Sequence, residues 1–262
     1  MTEGIQLNLD CELAILTIDR PSARNALDSQ SIADFGAAVA QVEADDTITT
    51  MILTGAGGTF CAGADLCEMA DTNAAYKSWA GQSGPLAKRC AKPVIAAVEG
   101  YAVAGGLGMA LWADLRVVSE GAVFGVFCRR FGVPMSDGTP TRLPAVVGRA
   151  RALDMLLTGR PIAADEAQRI GLADRVVPDG TALDVAMALG REISAFPPLA
   201  MAADRAAAWA AFDNHETARL IEEERGAQAA KAHEAASGAA RFKAGTRHLH
   251  REAGRQARNA CR

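Results

Sequence analysis

The sequence has few aromatic residues and no excess of positive charge. Phe, Trp and Tyr make up 5% of its 262 residues, so alanine fills much of the predicted core instead. The formal net charge is −4, whereas proteins that bind nucleic acid present strongly basic surfaces. We therefore expect no nucleic-acid partner. The composition, 50% hydrophobic and 22% charged, is ordinary for a globular protein with one large core.

The cysteines lack the spacing of a metal site or a disulfide framework. They include no CxxC pair, which predicts reduced thiols in a cytoplasmic protein and no bound metal. The start, MTEGIQLNLD, lacks the basic and apolar segments of a secretory signal. The longest notable uncharged run, residues 100–113, is too short and too rich in glycine to cross a bilayer, so we expect no membrane partner. The six cysteines are Cys11, Cys61, Cys67, Cys90, Cys128 and Cys261.

Hydrophobic periodicity indicates an α/β fold whose second half is mostly helical. Asp28 or Ser29 is placed to cap the first helix, and helices are expected from Thr181 to the end. Residues 71–92 have weak periodicity, which predicts a mobile segment. No sharp linker or repeat divides the chain. The predicted strands of the first half are IQLNLD, LAILTID, TTMILTG, PVIAAV, LRVVS and AVFGV.

Two glycine-broken loops each end at a predicted helix. In GYAVAGGLGMALWAD, residues 100–114, Gly105 and Gly106 follow a strand and precede a buried helix. The loop FCAGADL, residues 60–66, has the same character. The first N–H groups of a helix have no internal partner and favour negative charge. One N–H from each loop could converge on one oxygen as an oxyanion hole. The alternative is that both glycine clusters only allow tight strand–helix packing.

Together these loops resemble those of the crotonase (enoyl-CoA hydratase/isomerase) family over roughly residues 3–200. The resemblance implies a spiral of ββα units over residues 1–195 and a helical oligomerisation or lid region over 196–262. It also implies homotrimers, often paired into hexamers, and an acyl-CoA thioester as substrate, with coenzyme A as part of the substrate and no separate cofactor. The matching segments are DRPSARNAL, GTFCAGADL, KPVIAAVEGYAVAGGLGMALWADLRVVSE, AVFGV and TRLPAVVGRARALDMLLTGRPIAADEAQRIGLADRVVP.

The resemblance also assigns roles to residues of these segments. It implies that the N–H groups of Ala64 and Gly105 hold the thioester oxygen. It places coenzyme A near Arg24, whose guanidinium suits a phosphate, although Arg24 could also be a solvated surface residue. The other residues expected to contact the substrate are Ala62, Gly63, Asp65, Leu66, Gly106, Gly108 and Cys128.

The sequence departs from the family's hydratases at two positions. Those enzymes use two glutamates to hold and activate water, and the matching positions here are Gly108 and Cys128. Ordinary two-glutamate hydration is therefore not expected. Some family members that isomerise or displace groups carry a catalytic aspartate in the segment GVPMSDGTPTRL, and the resemblance places it at Ser136. The acid next to that position is Asp137, which could transfer protons if burial raised its pKa. The alternative for Asp137 is a turn or helix-cap residue, because Asp-Gly is a common turn pair. Cys128 is expected to be a small buried thiol rather than a nucleophile.

Three functions follow from these residues. The first is an acyl-CoA enzyme of the isomerase type, in which Asp137 moves a proton and the oxyanion hole holds an enolate. The second is a catalytically degenerate protein that only binds acyl-CoA. The third is a hydratase or lyase with a relocated acid.

Overall fold

The computed structural model describes residues 4–71, 78–213, 221, 224, 228 and 236–244. Its main sheet has six strands. In their order across the sheet they are β1 (Gly4–Asp10), β2 (Leu13–Asp19), β3 (Thr50–Gly55), β4 (Val94–Val98), β6 (Leu115–Ser119) and β9 (Arg175–Val177). Neighbouring strands are parallel, except that β1 is antiparallel to β2. The central strands are buried on both faces, which explains their near-continuous runs of apolar residues.

A second, three-stranded sheet lies beyond the main one in the order β5-β7-β8. Its strands are β5 (Tyr101–Val103), β7 (Val123–Gly125) and β8 (Ile162–Ala163). Two isolated parallel bridges, Cys61 with Ala102 of β5 and Leu27 with Ala64, extend this second sheet beyond β5. The chain therefore repeatedly alternates between two sheets, as a spiral of ββα units requires.

Nine named helices pack around the sheets in the described part of the chain. They are α1 (Ser29–Ala44), α2 (Leu66–Asp71), α3 (Gly105–Trp112), α4 (Thr139–Val147), α5 (Arg149–Thr158), α6 (Ala164–Arg169), α7 (Ala182–Ser194), α8 (Pro198–Asp213) and α9 (Ala236–Lys243). None of the described helices has both the length and the apolar character needed to cross a bilayer. The α/β class and the helical C-terminal region agree with the expectations from sequence.

The predicted helix starts and strands are largely confirmed. Asp28 is the N-cap of α1, since its carboxylate accepts the N–H of Ser31 at 2.7 Å. In the helical segment after residue 140, Gly148 separates α4 from α5 with a φ of +80°. Of the segment expected to be mobile, residues 78–92 pack on the core through the buried Trp79 and Leu86, and 72–77 lie outside the described residues.

The core has two parts, one on each face of the main sheet. The larger part lies between the two sheets and contains α1 and α3. The smaller part lies on the opposite face, where Ala182, Ala186 and Leu189 of α7 cover isoleucines of the central strands. Glu99 fixes the start of α7 by accepting the N–H of Ala182 at 3.0 Å. The larger core includes Phe60, Cys61 and Ala104 of the glycine loops, so the candidate site lies directly against it.

Candidate active site

A cavity of about 560 Å³ opens where the glycine loops, the Arg24 turn and the loop before α4 meet. Most of the residues that the sequence predicts for the site line this cavity. Those that line it are Arg24, Ala62, Ala64, Asp65, Leu66, Gly105, Cys128 and Asp137. The predicted residues Gly63, Gly106 and Gly108 are not among the lining residues.

Arg24 lies at the mouth of this cavity on a strained turn. Its φ is +53° and that of Asn25 is +57°, both in the left-handed region. The buried Asn25 side chain stabilises the turn, since Nδ2 donates to the Ala56 carbonyl at 2.8 Å and Oδ1 accepts the Arg20 N–H at 2.8 Å. The Arg24 side chain is exposed and makes no ion pair within the described ranges. Its guanidinium is thus available to an anionic ligand.

Arg20 clamps two helix N-termini beside the cavity, a role that the sequence pattern did not reveal. Its guanidinium pairs with Asp28 at 2.9 Å and with Asp65 at 3.4 Å. Asp65 also caps α2, because Oδ1 accepts the N–H of Cys67 at 2.9 Å. The Asp65 carboxylate is therefore engaged within the protein although the residue lines the cavity. This clamp holds the loop that carries Ala64.

The N–H of Ala64 points away from its neighbouring strand segment. In the bridge to Leu27, the N–H of Leu27 donates to the Gly63 carbonyl at 2.8 Å, and the N–H of Asp65 donates to the Leu27 carbonyl at 2.9 Å. Successive N–H groups of an extended segment alternate in direction. The intervening N–H therefore faces the opposite side, and no described residue accepts it.

The N–H of Gly105 is unpaired for a different reason. Gly105 is the first residue of α3, where an N–H has no partner within the helix. Ala104 precedes it with a φ of +50° and a ψ of −125°, a strained conformation for alanine. The Ala104 N–H is held by the Gly125 carbonyl at 2.9 Å. As with Ala64, no acceptor for the Gly105 N–H occurs in the described part of the chain.

Glycine allows the two loops to touch. A β-carbon on Gly63 would lie 2.8 Å from the Gly105 nitrogen, and one on Gly106 would lie 2.1 Å from the Cys61 carbonyl oxygen. Any side chain at either position would push the loops apart. Gly63 and Gly106 thus serve close packing, whereas Ala64 and Gly105 present unpaired N–H groups to the cavity.

Asp137 is the buried acid of the cavity. Its side chain is fully enclosed with only 2% of the residue exposed, and this burial raises the pKa of its carboxyl to about 6. The N–H of Thr139, which donates to Oδ1 at 2.9 Å, offsets part of that rise. Asp137 supports the start of α4, as the turn or cap interpretation expects, and it also lines the cavity. Its role in proton transfer stays a prediction.

The space beside Gly108 is filled by Asp137. A β-carbon on Gly108 would lie 2.5 Å from the Asp137 carboxyl carbon. Helix α3 thus has no side chain at residue 108, and the loop before α4 supplies a carboxyl group in its place.

Cys128 lies in a 3₁₀ turn, Phe127–Phe131, on the same wall. Its sulfur is 3.0 Å from the Met135 sulfur. Burial, with a contribution from the nearby Asp137 carboxylate, raises the pKa of the thiol to about 12. The group is protonated at neutral pH and so is a poor nucleophile. All four histidines of the sequence lie outside the described residues.

Comparison with known proteins gives the family. A family model described as enoyl-CoA hydratase/isomerase matches residues 10–249. The chain belongs to that family. Enoyl-CoA hydratase EchA19 of Mycobacterium tuberculosis is 41% identical over 196 residues, covering 72% of this chain and 74% of that protein. The short-chain-enoyl-CoA hydratase of Clostridium acetobutylicum is 35% identical over 203 residues, covering 76% of this chain and 78% of that protein.

Solved structures confirm the crotonase fold. The crystal structure of carnitinyl-CoA hydratase from Mycobacterium avium matches with a TM-score of 0.84 and 32% identity, covering 93% of this chain and 96% of that one. An enoyl-CoA hydratase from Mycobacterium tuberculosis H37Rv matches with a TM-score of 0.78 and 35% identity, covering 87% and 99%. The chain is thus an acyl-CoA-processing member of the enoyl-CoA hydratase/isomerase family.

Across the described ranges, no three His, Cys, Asp or Glu side chains form a group suited to a metal ion.

Proposed function

We propose that this enzyme transfers a proton within an enoyl-CoA thioester, as an isomerase does, with Asp137 as its acid and base. The observation that carries the proposal is a single buried carboxyl, with a pKa of about 6, on the wall of the cavity that Ala64 and Gly105 also line. A catalytic base works best when its pKa lies near the working pH. Isomerisation requires only one such group.

The proposed reaction begins with a 3-enoyl thioester. The Asp137 carboxylate removes a proton from carbon 2, and the electron pair moves through the carbonyl group onto the thioester oxygen. The resulting dienolate oxygen accepts hydrogen bonds from the N–H groups of Ala64 and Gly105. The protonated Asp137 then returns the proton to carbon 4, which gives the 2-enoyl thioester. Each oxyanion donor contributes about 3 kcal/mol to such a transition state.

Coenzyme A is proposed to lie at the mouth, with a phosphate on the exposed guanidinium of Arg24. The unpaired state of that guanidinium supports this position. The acyl chain would extend past the Ala62–Leu66 loop toward Cys128, where the wall is mostly apolar. The assembly is proposed to be a homotrimer or a pair of trimers in the cytoplasm.

Hydration by a relocated acid is the second candidate. It is favoured by the position of Asp137, which fills the space beside Gly108, and by the hydratase names of the relatives. In that case Asp137 alone would activate water for addition to a 2-enoyl thioester.

The deciding experiment follows the enoyl absorbance of crotonyl-CoA and, separately, the conversion of 3-hexenoyl-CoA by the wild-type protein and Asp137→Asn. Isomerase activity predicts conversion of the 3-enoyl ester, little loss of crotonyl-CoA, and at least a 100-fold lower rate in the variant. Loss of crotonyl-CoA at an enzymatic rate would support the relocated hydratase instead. Calorimetric binding without turnover of either ester would identify a binding protein.

A further inference from the structure

One buried hydroxyl on the cavity wall has no role in the chemistry proposed above. Ser136 is 1% exposed and lines the cavity beside Asp137. Its Oγ atom has no hydrogen-bond partner among the described residues. Since a buried hydroxyl without a partner lowers stability, an unpaired one on a ligand cavity indicates a missing ligand group.

The position of this hydroxyl is fixed by the main chain around it. The Ser136 carbonyl oxygen accepts the Ala80 N–H at 3.1 Å and the Ser78 hydroxyl at 2.7 Å. Both donors belong to the segment that carries the buried Trp79, which packs on Gly105. Two donors therefore fix the main chain of Ser136 at its carbonyl group, which places the side chain on the cavity wall.

The lining that precedes Ser136 in the chain is mostly apolar. Phe127, Phe131, Val133 and Met135 belong to it, and the Cys128 thiol lies against the Met135 sulfur. Of the polar lining residues, Ser22, Arg24 and Cys67 are exposed, and the half-buried Asp65 carboxylate is held by Arg20 and by the start of α2. Ser136 and Asp137 are thus the buried lining residues with oxygen-bearing side chains in the described part of the chain.

We propose that Ser136 determines specificity by donating a hydrogen bond to an oxygen substituent on the acyl chain. The favoured substrates are then acyl-CoA esters that carry a keto or hydroxyl group beyond the reacting carbons. A plain aliphatic chain leaves the hydroxyl unpaired, and a site with an unpaired polar group discriminates against such a ligand. This inference rests on the proposed function only in taking an acyl-CoA thioester as the ligand.

The test is calorimetric binding of two saturated esters, hexanoyl-CoA and 5-oxohexanoyl-CoA, to the full-length protein. Neither ester has a double bond to hydrate or isomerise, so binding is measured without turnover. We expect the keto ester to bind about tenfold more tightly to the wild type. Ser136→Ala should abolish that preference, and it should bind hexanoyl-CoA at least as tightly as the wild type does, because no hydroxyl is then left unpaired.

Ser119→Ala is the matched control. Ser119 lies in β6, is also 1% exposed with an unpaired Oγ, and does not line the cavity. This variant should keep the tenfold preference, and both variants should melt no lower than the wild type. Equal affinity of the wild type for the two esters overturns the inference even if Ser136→Ala fails to fold. Binding of neither ester overturns the proposed acyl-CoA site itself, and the specificity role with it.

Discussion

The carboxyl carbon of Asp137 lies 2.5 Å from the point where a β-carbon on Gly108 would stand, so the two residues compete for one space. The Asp137 carboxyl, in the loop before α4, can lie against α3 only because residue 108 has no side chain. A larger residue at position 108 would therefore move the proposed acid.

Gly108→Ala should displace the Asp137 carboxyl and lower kcat on a 3-enoyl-CoA by about 10- to 100-fold. A contact of 2.5 Å forces movement, and a small misplacement of a catalytic group is costly. Steady-state kinetics with 3-hexenoyl-CoA measures the effect. Gly36→Ala is the control, because its methyl in α1 meets only the Pro85 β-carbon at 3.3 Å. Full activity in Gly108→Ala would show that Asp137 is not positioned by this contact.

The rate of isomerisation should fall with acidification through about pH 6. Burial raises the pKa of Asp137 to about 6, and the carboxylate form must be present to take a proton from the substrate. A profile of kcat/KM between pH 5 and pH 8 should therefore rise to a plateau above that pKa. The residual activity of Asp137→Asn should not show this rise in kcat/KM with pH. A profile that stays flat down to pH 5 would assign the proton transfer to another group.

The same burial should make Asp137 a pH-dependent cost to stability. Because its folded pKa lies above its unfolded value, the folded state binds the proton more tightly, so the stabilisation that this proton contributes is fully present below about pH 4. That stabilisation is lost as pH rises through about 6, and the buried charge is then the cost. The shift corresponds to about 3 kcal/mol. Asp137→Asn should thus be more stable than the wild type at pH 7.5, with a much smaller difference at pH 4.5, in urea unfolding. Equal differences at both pH values would argue against a raised pKa.

Arg24→Gln should weaken acyl-CoA binding by about fivefold at low salt. The guanidinium is exposed at the mouth, so its attraction for a phosphate is partly screened, and added salt should narrow the difference from wild type. Calorimetry at 50 and 500 mM salt measures both effects. Arg151→Gln, an exposed arginine in α5 that does not line the cavity, should leave the affinity unchanged. Loss of affinity to the same extent in both variants would indicate a general charge effect.

Local patterns predicted the elements, and the resemblance predicted which segments meet at the site. Alternation in β1 and β2 and the cap at Asp28 are properties of neighbouring residues, so they can be inferred without a structure. The end of α4 at Gly148 is likewise a local property, because glycine readily adopts the positive φ found there.

Individual side-chain contacts between distant segments could not be predicted from the sequence. Arg20 is one of many arginines until the fold brings Asp28 and Asp65 to it from two helix N-termini. The same holds for Asp137, whose turn-like sequence gives no sign that it fills the space beside Gly108. Burial of Ser136 without a partner is likewise a property of the assembled cavity, since serine is mostly exposed in proteins.

The unpaired N–H groups at Ala64 and Gly105 belong to the main chain, so they depend on the conformation of the loops and on no particular side chain to supply them. A codon change can replace a side chain, but every residue except proline retains its N–H. The proposed oxyanion hole is therefore inherited with the fold, whereas Asp137, Cys128 and Ser136 can each be exchanged by a single substitution. New chemistry can arise on this scaffold by changing the cavity wall while the polarising groups persist.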